Sequence, residues 1–223
     1  MRTVTRREAL ATGAGVLTAA GFAVRGVAQP PGVGPAAMSN GLDTMFAVCL
    51  LAKGRKQIDV CRFAQPKLHD DGVKQFAQAE IDEHETIRRK LDQLGYAYPA
   101  NIPSAPAGGI TQAGGTQLMA GRMPVPPGMA AWLPVENALI EQCIATEKAE
   151  LGKKEGVKFE KAFVGCQLAA HYGLFDTAVT FRKFCSPQMA AILDEGRGVI
   201  ERHIQTCKGL MESLEAKKDH AGS

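Results

Sequence analysis

Residues 187–214 read PQMAAILDEGRGVIERHIQTCKGLMESL, and apolar side chains recur along them at alternating gaps of four and three. This spacing places them on one stripe of a single helix. The stripe consists of Met189, Leu193, Gly196, Ile200, His203, Cys207, Leu210 and Leu214. Polar side chains on a stripe built for burial need partners inside the protein. His203 and Cys207 are therefore the first candidates for chemistry.

An earlier segment repeats this spacing and carries polar side chains of its own. Its stripe consists of Val73, Ala77, Glu80, His84, Ile87, Leu91 and Leu94. The pattern predicts a helix that is capped by Asp70 or Asp71 and ends at Gly95, a residue suited to a left-handed cap. A helix over about residues 41–65 precedes it and stops at Pro66, which cannot continue a helix. Because only a few residues join the two helices, we expect an antiparallel hairpin.

The helical period disappears over residues 96–134, where proline and glycine are frequent. This composition predicts a long irregular crossover on the surface of the protein. The helical pattern resumes near Val135 and weakens again at residues 152–156.

The last part of the chain predicts a second hairpin. A strong helical pattern runs from residue 159 to residue 184, and Ser186 with Pro187 begins a helix that continues to about residue 216. Residues 41–216 are thus predicted to form one all-α domain, a ferritin-like four-helix bundle of two antiparallel hairpins joined by the crossover. A connection of this length lets the second and third long helices run parallel.

The N-terminal residues resemble an export signal. Residues 5–10 read TRREAL, which is similar to a twin-arginine motif, and a mildly apolar run follows them. Small residues up to position 28 suit a signal peptidase, so residues 1–28 are predicted to be a signal peptide and the protein to be exported to the periplasm. Residues 29–40 are predicted to be a flexible spacer and residues 217–223 a frayed tail. The alternative is an N-terminal helix retained as a membrane anchor.

The basic charge of the chain belongs to this predicted signal. Residues 1–28 hold four arginines and one glutamate, a net charge of +3, which equals the excess of the whole chain. The remaining protein is close to neutral, so its charge gives no support for nucleic-acid or anionic-membrane binding. No later segment is long and apolar enough to predict a transmembrane span.

A family resemblance is carried by residues in both predicted hairpins. These residues are QIDVCRFA at 57–64, VKQFAQ at 73–78, DEH at 82–84, FEKAFV at 159–164, His171, and ERHI at 201–204. Over about residues 42–214, apart from the crossover, the chain resembles an exported bacterial ferritin-like family known only as a domain of unknown function. The resemblance implies the fold and an extracytoplasmic location, and it implies no activity. The chain departs from the family pattern at Gln57, where glutamate is usual, and at Glu80, where an apolar residue is usual.

Three histidines are predicted to meet at one level of the bundle. His171 and His203 lie at equal distances from the turn near residue 187, and His84 lies about as far into its helix as His171 does. If those two helices run parallel, the three imidazoles converge, with Glu80 about one turn away. Such a group suits Zn, Fe or Cu, and a thiolate from Cys207 would favour Zn or Cu(I).

The sequence is also compatible with two alternatives to a metal site. The histidines could form a structural network with Glu80 or Gln57, or they could surround a small organic ligand. Cys166 and Cys207 also lie at nearly equal distances from the turn, which permits a disulfide, although two buried thiols would satisfy the same pattern.

The sequence favours a function without catalytic turnover. The first expectation is an exported binding or envelope-maintenance protein, and the alternative is a metal-handling protein that uses His84, His171, His203, Glu80 and Cys207. A di-iron oxidase is disfavoured, because that chemistry uses glutamates on all four helices and Glu-x-x-His pairs, and no such pair occurs. Motifs for phosphate, dinucleotide or serine-nucleophile chemistry are also absent from the sequence.

Overall fold

The stripe of residues 187–214 lies within the longest of the helices that the structure describes. A computed structural model describes residues 41–96 and 127–220, and this part of the chain is all-helical, as predicted. The helices are α1 (Gly41–Ala64), a short 3-10 helix (Gln65–Lys67), α2 (Asp71–Gln93), α3 (Pro127–Gly152), α4 (Gly156–Phe181) and α5 (Pro187–His220).

The predicted helix ends are confirmed by their caps. The Asp70 carboxylate accepts a hydrogen bond of 3.1 Å from the backbone N–H of Val73 and begins α2. Gly95 follows α2 with φ of 88°, the left-handed conformation that glycine adopts without strain. The Ser186 hydroxyl accepts a hydrogen bond of 3.3 Å from the Met189 N–H at the start of α5. Side-chain chemistry therefore determines where these helices begin and end.

Side-chain contacts give the relative directions of the helices. In the first hairpin, Arg62 reaches Glu85 and Gln65 reaches Gln78, so α1 and α2 are antiparallel. In the second hairpin, Arg182 reaches Asp194, and α4 and α5 are antiparallel in the same way. The hairpins face each other with α1 against α4 and α2 against α5. The result is a helical bundle whose interior is shared by α1, α2, α4 and α5.

The predicted crossover differs from the structure at its end, because α3 begins at Pro127. A proline at the first helical position loses no hydrogen bond, since that N–H has no partner within the helix. Pro134 lies inside α3. The helix is retained around it because Leu133, Ile140 and Ile144 are buried, the last two against Ala52 of α1. The described chain therefore has a fifth helix, packed on α1.

Two further boundaries differ from prediction, and some predictions lie outside the described residues. Helix α4 begins at Gly156, three residues earlier than expected, and α5 continues to His220 instead of ending near residue 216. The predicted signal peptide, the spacer and most of the crossover are outside the described part of the chain. Within residues 41–96 and 127–220, no helix is both long enough and apolar enough to cross a membrane.

Besides the contact between α1 and α3, the described apolar interior contains two larger clusters along the bundle axis. The lower half, next to the α1–α2 turn, is built from Ile58, Val60, Cys61, Ala64, Leu68, Val73, Phe76, Ala77, Ile81, Leu151, Phe159, Phe163, Val164, Cys207 and Leu214. The upper half, next to the α4–α5 turn, is built from Ala47, Leu51, Leu91, Tyr96, Ala178, Met189 and Leu193. Between the two halves lies a layer of buried polar side chains.

Candidate metal centre

Glu80 lies at the centre of this buried polar layer. Its side chain is fully buried on α2. Its Oε1 atom lies 2.6 Å from His203 Nδ1 on α5 and 3.0 Å from His171 Nε2 on α4. Its Oε2 atom lies 3.2 Å from Nε2 of His84, one turn further along α2. The layer therefore joins the two hairpins through a single carboxylate.

The imidazole neighbours determine the charge of Glu80. Burial alone raises the pKa of a carboxyl group, because burial disfavours the charged form. Contacts with His171, His203 and His84 outweigh burial and hold the pKa of Glu80 well below its usual range. Glu80 is therefore ionised at neutral pH. Although the ring nitrogens lie within ion-pair distance, neither oxygen of Glu80 has an aligned hydrogen-bond donor.

His171 is held in one orientation by its own helix. Its Nδ1 atom lies 2.7 Å from the backbone carbonyl oxygen of Gln167, one turn earlier in α4. Because a carbonyl oxygen only accepts, Nδ1 carries a proton and donates it. In the neutral ring, the lone pair on Nε2 then points toward Glu80 and His203. Proteins orient metal-binding histidines in this way.

His203 lies between two carboxylates of α2. Its Nδ1 atom faces Glu80, and its Nε2 atom lies 2.9 Å from Glu83 Oε2. Burial on its own lowers the pKa of His203, but Glu80 and Glu83 outweigh burial and raise the pKa to about 9. The metal-free ring is therefore protonated at neutral pH. In metal sites, the ring nitrogen of histidine that does not bind the metal commonly donates to a carboxylate, and Glu83 lies in that position beside His203 Nε2.

Three potential ligand atoms converge in the layer. Glu80, His171 and His203 each offer an atom within 4.8 Å of the other two. The three separations are 2.6 Å, 3.0 Å and, between His203 Nδ1 and His171 Nε2, 3.1 Å. A metal ion bound at about 2.0–2.2 Å to each of three such atoms holds them roughly 2.8–3.5 Å apart. Two of the three separations lie in this range and the one of 2.6 Å is slightly shorter, so the three atoms could contact one metal ion after a small adjustment.

The structure brings together four of the five residues predicted for the site. His84, His171 and His203 meet at one level, as the sequence predicts, but Glu80 lies between them and not one turn away. His84 contacts the Glu80 oxygen that faces away from the other two imidazoles, and its side chain is 16% exposed. His84 therefore holds Glu80 from the side, while His171 and His203 share its Oε1 atom.

Cys207, the fifth predicted residue, is not part of the converging group of ligand atoms. It is fully buried in the lower half, where burial and the nearby Glu80 charge raise its pKa to about 12. Its thiol is therefore protonated at neutral pH. Cys166 and Cys207 are both free thiols in the structure, so the disulfide between them stays a prediction.

Sequence reasoning did not single out Glu83 and Gln167. Glu83 is three residues after Glu80, and residues with this spacing are neighbours on one helix surface. The spacing is the sequence signal that could have identified Glu83 as part of the site. Gln167 supplies its backbone carbonyl to His171, and no sequence signal identifies a backbone acceptor. Gln57 was an expected partner for a histidine, but its amide donates instead to the Gln167 side chain at 2.8 Å.

No known protein family, curated protein or solved structure matches this chain. The resemblance to an exported ferritin-like family therefore stays a prediction.

Proposed function

We propose that this chain is an exported, ferritin-like four-helix-bundle protein that binds one divalent transition-metal ion through Glu80, His171 and His203. The proposed bundle consists of α1, α2, α4 and α5, with α3 packed outside it. The antiparallel hairpins support this architecture, and the twin-arginine-type sequence at residues 5–10 supports export.

The orientation of His171 carries the metal proposal. In the neutral ring the Nδ1 proton is donated to Gln167, and the Nε2 lone pair then lies 3.0 Å from a Glu80 oxygen. In the metal-free protein the protonated His203 Nδ1 lies beside both atoms, 3.1 Å from His171 Nε2 and 2.6 Å from Glu80 Oε1, so this position already holds a positive charge that a metal ion could replace. A metal ion would accept both electron pairs and would also satisfy a fully buried carboxylate that has no aligned donor.

The ligand atoms indicate which ions fit. Two imidazole nitrogens and one carboxylate oxygen form the set used in open zinc and non-haem iron(II) sites. Copper(II) also accepts imidazole ligands. Copper(I) would be favoured by a thiolate ligand, and the Cys207 thiol is protonated at neutral pH. We therefore expect Zn²⁺ or Fe²⁺, and we expect Glu83 to support His203 from the second ring nitrogen.

Metal titration of the untagged protein, purified after export and stripped with a chelator, tests the proposal. We expect one Zn²⁺ per chain by calorimetry, and Fe²⁺ at the same stoichiometry under anaerobic conditions. Glu80→Gln keeps the shape of the side chain but removes its charge, and we expect it to weaken binding at least 100-fold. His171→Ala is expected to abolish stoichiometric binding.

The chain provides matched controls for these variants. Glu160→Gln changes another buried carboxylate, which accepts from the backbone N–H groups of His69 and Asp70 at 2.6 and 2.7 Å. His69→Ala removes an exposed histidine outside the site. Both control variants should bind metal like the unaltered protein. Equal loss in Glu160→Gln and Glu80→Gln would mean that binding reports only folding, and no binding by the folded protein would reject the proposal.

A metal-free function is the second candidate, because one observation favours it. His203, protonated between Glu80 and Glu83, forms an ion pair with each carboxylate without any metal. The protein would then serve as a non-catalytic binding or envelope-maintenance protein, and the layer would specify how the hairpins pack. This candidate predicts that the folded protein binds no metal and that chelation leaves its melting temperature unchanged.

A further inference from the structure

A cavity borders the polar layer on the side of the upper half. Its volume is about 60 Å³. His171, His203, His84 and Glu83 form one end of this cavity. Its other walls are apolar and come from α1, α2, α4 and α5, among them Leu50, Ile87, Leu174, Leu193 and Ile200.

The lower side of the layer is filled instead. The Phe76 ring meets the His203 ring edge-on at 5.6 Å between centroids and lies 6.4 Å from the His171 ring. Phe76 is itself buried in the lower half. A ligand that reaches a metal held by these two histidines therefore has space on the cavity side and a packed aromatic ring on the other.

The size of the cavity limits what it can hold. A site for one water needs about 10–15 Å³ on the same measure, so the cavity has room for about four water-sized positions. Several of its walls, including Leu50, Ile87 and Ile200, are only partly buried, so the cavity opens toward the surface. A molecule of two or three non-hydrogen atoms fits within this volume, whereas a sugar, nucleotide or amino acid is too large to be enclosed in it.

The polarity of the cavity limits its ligand further. Transfer of a charged group into apolar surroundings is strongly unfavourable unless the charge is paired. A bound divalent ion would carry a charge of +2, which the Glu80 and Glu83 carboxylates balance, so an anionic ligand would leave a net negative charge in the cavity. An uncharged molecule meets neither penalty.

We infer that the cavity is a binding site for a small uncharged molecule, of the size of dioxygen or nitric oxide, that coordinates the open face of the metal. This inference rests on the proposed metal site. Three protein ligands that approach from one side leave further coordination positions vacant on a bound ion, as in metal sites that take an exogenous ligand. The apolar walls then select for neutral ligands, and the histidine end of the cavity supplies the metal.

Nitric oxide on the iron(II)-loaded protein is the experimental probe. We expect one nitric oxide per iron, seen by electron paramagnetic resonance as a high-spin iron–nitrosyl signal. Azide, an anion of similar size, is expected to bind at least tenfold more weakly than nitric oxide. Binding of azide as tightly as nitric oxide would overturn the selection for uncharged ligands.

Two glycines of α5 provide a matched pair of cavity variants. Gly196 borders the cavity, and a Cβ atom added there meets no neighbour within 4 Å. Gly196→Leu should therefore project into the cavity and slow nitric oxide association at least tenfold, without loss of iron. Gly198 has equally free surroundings but does not border the cavity, so Gly198→Leu should leave association unchanged.

The outcomes separate the two proposals. If the unaltered protein binds no iron or zinc, the proposed metal site fails. If it binds iron but no nitric oxide, or if both leucine variants bind nitric oxide as fast as the unaltered protein, the metal site stands and the cavity inference is overturned.

Discussion

The two halves of the bundle flank the same polar layer but differ in how they fill space. In the lower half, Phe159 and Phe163 are almost completely buried, and Phe76 packs directly against the histidine rings. In the upper half, Leu50 and Ile200 are only partly buried and border a cavity. The tightly packed half and the half with space for a ligand are therefore separated along the bundle axis. One half holds the histidines in place, and the other leaves room beside them.

This difference has a simple origin in the residues of each helix. The first half of α4 contributes two phenylalanines to the interior, whereas its second half contributes Leu174 and the small side chain of Ala178 at the cavity. The first half of α5 contains Gly196, which borders the cavity and adds no side-chain volume. Small residues at the upper end of both helices leave the unfilled space.

The comparison predicts that truncation costs more in the lower half. Phe163→Ala removes a fully buried ring whose neighbours are packed on all sides, and we expect a loss of about 4 kcal/mol of unfolding free energy. Leu174→Ala removes a side chain that already borders the cavity, and we expect a loss of about 2 kcal/mol. Urea unfolding of both variants measures the difference. Equal losses of unfolding free energy would mean that side chains at the cavity are packed as tightly as those in the lower half.

The polar layer itself is predicted to make stability depend on pH. His203 has a pKa of about 9 in the folded protein, above its ordinary value of 6.5. Its contribution to stability is therefore complete below pH 6.5 and is lost as the pH rises through 9. The groups that face the ring are Glu80 and Glu83 on α2 and His171 on α4. The shift corresponds to about 3 kcal/mol over this range.

Comparison of the chelated protein with His203→Gln isolates this effect. The difference in unfolding free energy between the two should shrink steadily between pH 6.5 and 9, because only the unaltered protein holds the extra proton. His69→Gln, which changes an exposed histidine, should show no such trend. A constant difference for His203→Gln across the range would contradict the assignment of a raised pKa to this ring.

Much of the site could be predicted from the sequence, because helices rise by a constant amount per residue. Equal distances from a turn place His171 and His203 at one level, and the contact of 3.1 Å between their rings agrees with that count. Spacing does not give rotation about the helix axis or the reach of a side chain. For this reason the sequence put Glu80 a turn away, although its carboxylate extends into the middle of the layer.

The misjudged part of the fold has a different cause. The sequence favoured an irregular segment up to residue 134, because proline usually interrupts a helix. Pro127 begins α3, where proline is well suited, and Pro134 is tolerated inside it. Burial of Leu133 and Ile144 outweighs the local penalty. Tertiary packing of this kind cannot be seen in a local pattern.

The proton on His203 also predicts how metal affinity changes with pH. A metal ion on Nδ1 must displace the proton that this nitrogen carries beside Glu80 and His171, so binding releases one proton at neutral pH. We expect zinc affinity to rise roughly tenfold between pH 7 and pH 8. Glu83→Gln removes one of the carboxylates that hold this proton, and the pH dependence should become shallower. Competition titrations with a zinc-binding dye at both pH values measure these changes.

The smallest expected effect comes from adding one methyl group near each half. Gly54 on α1 faces His84 at the edge of the polar layer, and a Cβ atom there would lie 3.4 Å from His84 Nδ1, an ordinary contact. Gly72 lies at the lower end of α2, where a Cβ atom would lie 3.1 Å from both the Asp70 carboxylate and Leu210. Alanine in place of glycine in a helix stabilises by about 1 kcal/mol.

We therefore expect Gly54→Ala to raise the unfolding free energy by up to about 1 kcal/mol. Gly72→Ala should raise the unfolding free energy by less, or lower it, because the side chains of Asp70 and Leu210 must both shift. Thermal unfolding of the two variants at one pH compares them directly. A larger gain for Gly72→Ala than for Gly54→Ala would show that the lower half yields more easily than its packing indicates, and the division into a rigid and an accessible half would then lose its physical basis.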